Sequence, residues 1–221
     1  MHDSHALPLR AQPCSWPIRI AVAFALALFY CAGYLLIERH PPRPPIEFAL
    51  TPIDRWIRFS PRWVGAYQSV YFLLPAALLA TTRDQVRRFA IGFTAFTLVG
   101  FSCFILWPVR GPRPAITPSS GMFGLLTRVD LPLNTFPSMH MAVATYCACV
   151  AIQLSRGRCR RILLVALPIW VLLIGYAALA TKQHYLVDLP AGILLGWVAQ
   201  FLAWRTARRD QDCRQRSIRG M

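Results

Sequence analysis

The chain has 221 residues, of which 56% are hydrophobic and only 15% charged, and 24 Lys and Arg against nine Asp and Glu give a net charge of +15. This much apolar mass excludes a disordered chain, and a charged fraction so far below the ~25% of soluble domains argues against an ordinary soluble fold. A nucleic-acid binder would suit the charge but not a mean hydropathy of +0.42, which leaves a polytopic membrane protein whose cations lie between its spans.

A membrane span needs about 17–25 mostly apolar residues, and six stretches of this sequence qualify. The first is 17–37; it is longer than a signal-peptide core and lacks a small-x-small cleavage site before Glu38, so it reads as a retained span. Residues 38–63 hold six prolines and read as an extended segment with a short interfacial helix around Trp56 and Trp63. The second span, 64–80, is weakened by Gln68 and Ser69; the third is 89–107. Residues 108–136 form a 29-residue loop with four prolines before Leu125, too long for a plain connection. The spans 138–154, 162–181 and 186–204 follow, and 205–221 reads as a polar tail. The expectation is one all-α membrane domain over 1–221, a bundle of six transmembrane helices.

Charge fixes the expected orientation. Fifteen of the 24 cations fall on the side holding both termini and the 81–88 and 155–161 connections, nine on the other. By the positive-inside rule the termini face the cytoplasm of an inner or plasma membrane, and loops 108–136 and 182–185 face outward. Beyond Cys147-x-Cys149 the seven cysteines show no paired ligand spacing, so neither a disulfide framework nor a metal site is expected.

Ionisable residues at membrane depth are costly, and each is a functional candidate. Arg110 and Arg113 follow the third span, His140 opens the fourth, and Lys182, His184 and Asp188 lie between the fifth and sixth. With six spans, all three segments reach the outer face. His184 and Asp188, four apart, share a helix face, so the carboxylate can orient the imidazole as a base or nucleophile. His140 offers the second member of an acid–base pair. Pro137-Ser138 opens a helix whose first amides, near Met139 and His140, suit an anion, and the arginines add fork-shaped donors matched to phosphate oxygens. Each feature alone has a structural alternative: Ser138 or Asp188 as a helix cap, His140 as a core histidine, the arginines as interfacial anchors, Gly192-x-x-x-Gly196 as a helix-packing site.

Together these residues resemble a family. Pro137-Ser138-Met139-His140 and His184-x-x-x-Asp188 are similar to the second and third signature motifs of the type 2 phosphatidic acid phosphatase superfamily, and Arg113-Pro114 to the end of the first. The resemblance, over roughly 89–204, implies a membrane lipid-phosphate phosphatase or phosphotransferase that uses no cofactor or metal. It makes His184 the nucleophile forming a phosphohistidine, Asp188 its partner and His140 the acid for the leaving group. Arg113, with Ser138 and Met139, would hold the phosphoryl oxygens. Leu106, Met139, Ala177 and Ala178 depart from the family pattern, and Arg110 and Lys182 are the candidates to replace its missing cations. The variant Pro-Ser-Met-His with Gln-His-Tyr-x-x-Asp is similar to the inositol phosphorylceramide synthase branch, which transfers a phosphoryl-alcohol group between lipids and polyols. The expected partners are a phosphorylated lipid and the surrounding membrane lipids, with no nucleic acid; the oligomeric state stays open. The competing class is a non-enzymatic haem-binding or transport protein with His140 and His184 as ligands.

Overall fold

The computed structural model describes residues 12–115 and 120–219. The described chain is mostly helical. Its first helix, α1 (Trp16–Arg39), starts at a proline in its first turn and meets the bundle along one edge, burying Tyr30 and Glu38. After a two-residue strand β1 (Ile46–Glu47) comes α2 (Pro52–Trp56), begun by a reciprocal cap between Thr51 and Asp54. A 3₁₀ turn (Pro61–Trp63), α3 (Val64–Gln68) and a 3₁₀ helix (Ser69–Leu79) then replace the continuous helix expected over 64–80. Pro75 lies inside this stretch; it has no N–H to donate, and its ring clashes with the carbonyl one turn earlier. The looser wind still reaches far, since a 3₁₀ helix rises ~2 Å per residue, giving roughly 22 Å for this segment alone. Ser69 is satisfied: its Oγ donates to the Ala66 carbonyl (2.6 Å) and accepts from Trp170 Nε1 (2.8 Å).

The rest of the bundle is regular. Helix α4 (Arg83–Leu106) starts at a second reciprocal cap, Thr82 with Gln85, and stops ahead of Pro108. Strand β2 (Val109–Arg110) pairs in parallel with β1. Helix α5 (Gly121–Val129) occupies part of the stretch expected to be loop. Then follow α6 (Met139–Leu154), α7 (Gly157–Ala180) and α8 (Asp188–Arg219), whose helical backbone runs through most of the expected polar tail.

Among the described residues, α1, α4 and α7 are long and apolar enough to cross a membrane, and α6 is a shorter apolar helix. Large apolar side chains such as Phe24, Phe72 and Leu172 point outward, each more than two-thirds exposed. An exterior of this kind suits lipid rather than water. The core gathers around α6, whose residues from Met139 to Ala148 are all buried. Phe89, Phe93 and Phe96 of α4 pack around Tyr146, whose hydroxyl donates to the Phe89 carbonyl at 2.7 Å. On the other side α8 lies against α6 at Gly192 and Gly196, where any Cβ would run into the Ser138 and Ala142 carbonyl oxygens. These two glycines let the backbones touch.

Candidate active site

The ends of α1 and α4, the starts of α3, α6 and α8, and the turn after α7 converge at one end of the bundle. Short backbone bonds lash them together. Gly111 N donates to Pro132 O (2.8 Å), Thr135 N to Val109 O (3.3 Å), and Ser138 N to Asp188 O (3.1 Å). The last bond ties the first turn of α6 to that of α8, and so His140 to the segment carrying His184.

His184 does not share a helix with Asp188. Helix α8 begins at Asp188, and His184 precedes it in a buried turn. The pair meets across that turn: Asp188 Oδ2 accepts from Tyr185 N at 2.9 Å and from His184 Nδ1 at 3.3 Å. A closer partner of Nδ1 is the Thr135 carbonyl, at 3.0 Å. A carbonyl oxygen only accepts, so Nδ1 carries the proton and the lone pair is left on Nε2. Asp188 is fully buried, and its Oδ1 has no partner among the described residues.

The His140 ring centroid lies 6.0 Å from that of His184. Its Nδ1 shares a 2.9 Å hydrogen bond with the Tyr67 hydroxyl, while its buried Nε2 has no partner among the described residues. A phenol can donate or accept, so Tyr67 permits the proton on either nitrogen of His140. The Tyr67 ring also stacks on His140, centroids 4.1 Å apart.

Arg113 approaches from the loop after β2. Its guanidinium donates to the Asp130 carbonyl at 2.8 Å and to Gln183 Oε1, next to His184, and lies 3.8 Å from the Asp130 carboxylate. Its buried Nε has no partner among the described residues. Ser138 caps α6, its Oγ accepting from Met141 N at 3.4 Å. Met139 buries its side chain against Gly100 of α4, so only its backbone belongs to the first turn beside His140.

The two candidate replacement cations are engaged elsewhere. Arg110 is half-exposed in β2, 3.8 Å from Glu47. Lys182, at φ 55°, sends its ammonium to the carbonyls of Asp54 and Ile57, the latter at 2.6 Å. Burial pulls its pKa below the usual lysine value, with the Asp54 carboxylate pushing back. The Asp54 carboxylate also accepts from Leu186 N at 2.8 Å. Lys182 thus straps α2 to the turn that carries His184, and its charge does not face the two histidines.

Beside His140 a cavity of about 390 Å³ opens between α1, the α3–3₁₀ segment and α5. Its walls are mainly apolar, with Gln68, Asp130, His140 and the hydroxyls of Tyr30, Tyr34 and Tyr71 as polar points.

A lone pair on one imidazole, a second imidazole facing it, a guanidinium and a helix N-terminus form a site able to bind an anion and exchange protons with it. The model of the PAP2 superfamily matches residues 47–202, which include every one of these groups. The chain belongs to the PAP2 superfamily. No curated protein matches it. Among solved structures, the crystal structure of Aquifex aeolicus LpxE is similar, at 19% identity and a TM-score of 0.47, over 78% of this chain and 92% of that one. Within the superfamily frame, this chain's departures have physical companions. Ala177 and Ala178 are fully buried against the α3–α5 layer, and Leu106 is exposed at the end of α4.

Sequence reasoning brought out His140, His184, Asp188 and Arg113, and these are the residues that come together. It missed Tyr67, Thr135, Asp54 and Asp130. Tyr67 and Asp54 are a buried hydroxyl and a buried carboxylate in an apolar setting, and that was the available signal.

Proposed function

We propose that the protein is a six-pass integral membrane lipid phosphatase or phosphotransferase acting through a phosphohistidine on His184. The observation that carries this reading is the Thr135 carbonyl on His184 Nδ1, which leaves a nucleophilic lone pair on Nε2. Nε2 attacks phosphorus, and the bond to the leaving oxygen breaks as His140 Nε2 hands it a proton. Water, or a second alcohol, then attacks the phosphohistidine; the P–N bond breaks and His140 takes up the incoming proton. Arg113 and the first amides of α6 hold the equatorial oxygens where charge builds, usually the largest contribution in such chemistry. Asp188 steadies the imidazolium character of His184 during attack.

The substrate is a lipid carrying a phosphate or pyrophosphate, drawn from the membrane. The apolar cavity beside His140 supports this, since it offers a place for the lipid part. The six crossings of this reading include the α3–3₁₀ segment, and the positive-inside count supports a site at the outer face of an inner or plasma membrane.

The test is phosphate release from a panel of lipid phosphates by the purified chain in detergent, with and without alcohol acceptors. His184→Ala and His140→Ala are expected to lose release by at least about 10³-fold while expressing normally. A ³²P label should be trapped, acid-labile, on the wild type and not on His184→Ala. Full release by His184→Ala overturns the role assignment.

A further inference from the structure

The cavity beside His140 bears on which lipid alcohol leaves, and the inference here rests on the phosphatase reading above. His140 lines this cavity and His184 does not. Attack at phosphorus is in line, so the leaving oxygen departs on the side opposite the nucleophile, toward the group that protonates it. The cavity is therefore on the leaving-group side.

Its walls are mainly apolar; besides His140 and the hydroxyls of Tyr30, Tyr34 and Tyr71 they carry two side chains with hydrogen-bond acceptors, Gln68 and Asp130. Gln68 Oε1 is buried with no partner among the described residues. Asp130 Oδ1 accepts from the Tyr34 hydroxyl at 3.1 Å, and its Oδ2 lies 3.8 Å from Arg113, beyond direct hydrogen-bond length. A carboxylate has about four acceptor positions, so Asp130 retains capacity toward the cavity. No lysine or arginine among the described residues lines the cavity. With Arg113 set against the Asp130 carboxylate, no unbalanced cation faces the cavity to draw a second anion, and the unpartnered Gln68 Oε1 calls for a donor.

We propose that the cavity selects a lipid phosphate whose alcohol carries a hydrogen-bond donor, a hydroxyl or an ammonium, close to the phosphoester. A purely hydrocarbon alcohol would fill the apolar volume but leave Gln68 Oε1 unpaired. Sites built to receive a donor discriminate strongly against analogues that lack it, because their own polar groups then stay buried and unsatisfied.

The experiment compares kcat/KM for three chain-matched substrates in the same detergent: a 2-amino-1-alkanol phosphate, a 1-alkylglycerol 3-phosphate with its free hydroxyl, and a plain alkyl phosphate. The wild type is expected to prefer at least one donor-bearing substrate over the plain phosphate by tenfold or more. In Gln68→Leu or Asp130→Asn that ratio is expected to fall below threefold, whatever the absolute rates. Two variants are used because Asp130 also contacts Arg113 and its change can unsettle the fold. Preference for the amine alone, lost in Asp130→Asn, assigns the donor as ammonium; equal preference for amine and hydroxyl assigns any donor. Equal turnover of all three by the wild type, or a preference that survives both variants, overturns the proposal and leaves the phosphatase reading standing. Release from none of the three by folded protein overturns both.

Discussion

At the scale of single residues, the site depends on which nitrogen of each histidine is free. The Thr135 carbonyl is nearer to His184 Nδ1 than Asp188 is, at 3.0 against 3.3 Å. Removing the carboxylate charge therefore leaves the tautomer in place. Asp188→Asn is expected to lower kcat by only ~10–100-fold, as for the loss of an orienting partner, rather than the ~10⁴-fold seen where the aspartate alone fixes the tautomer. Steady-state kinetics decides it, and a loss of 10⁴-fold would assign the orientation to Asp188 after all. Tyr67→Phe keeps the stacked ring and removes only the hydroxyl on His140. It is expected to cut kcat by about tenfold or more with KM within twofold and an unchanged melting temperature. Unaltered kcat would mean that His140 needs no partner at Nδ1. His184, Asp188 and His140 were legible in the sequence because their motifs are local. The groups that set their proton positions were not: Tyr67 lies 73 residues from His140 and Thr135 lies 49 from His184, distances over which no sequence periodicity carries information.

At the scale of elements, what positions the histidines is close backbone packing and one strap. A methyl at Gly192 meets the Ser138 carbonyl and one at Gly196 the Ala142 carbonyl, both backbone atoms with no side chain to swing away. Overpacking of this sort costs roughly 1–3 kcal/mol. Gly192→Ala and Gly196→Ala should both lower the melting temperature in detergent. Gly192→Ala should lower kcat more at matched stability, because Ser138 also bonds Asp188 O through its N–H and so links the first turns of α6 and α8; equal kinetic effects would deny the packing contact any share in positioning. The strap makes a different prediction. Lys182 holds the carbonyls of Asp54 in α2 and of Ile57 just after it, and does not face the two histidines. Lys182→Met should reduce stability and kcat with KM within twofold, whereas Arg113→Ala should raise KM by at least tenfold. A large KM effect at Lys182 would restore it as a phosphate ligand. Of these elements the sequence showed the helices α1, α4, α6, α7 and α8 through their apolar runs. It did not show the 3₁₀ wind, since Pro75 alone does not say whether a helix kinks or rewinds. Nor did it show α5 and the two-residue pairing of β1 with β2, which are too short to carry a period and sit among prolines.

At the scale of the molecule, the two ends of the bundle differ in composition as well as in chemistry. The site end carries His140, His184, Arg113 and the acidic residues Glu47, Asp54 and Asp130. The opposite end carries the arginine-rich connections, 83–88 and 156–161 among them. In a sealed membrane this asymmetry sets direction, since clusters of arginine near span ends resist translocation. On the proposed six-pass orientation, the net charge of +15 is mostly a record of topology rather than of a polyanionic partner. Two positions report it directly. Cys159 is an exposed thiol at the start of α7, and Glu47, with its side chain 69% exposed, lies in β1 at the site end. A variant retaining only Cys159, and a cysteine-free variant bearing Glu47→Cys, can be treated with a membrane-impermeant maleimide in right-side-out vesicles. Glu47→Cys is expected to label in intact vesicles and Cys159 only after permeabilisation. The reverse pattern would turn the site toward the cytoplasm and require a substrate in the inner leaflet. Labelling of both without permeabilisation would mean that the bundle does not separate its two ends across the bilayer, and the six-pass reading would fail with it.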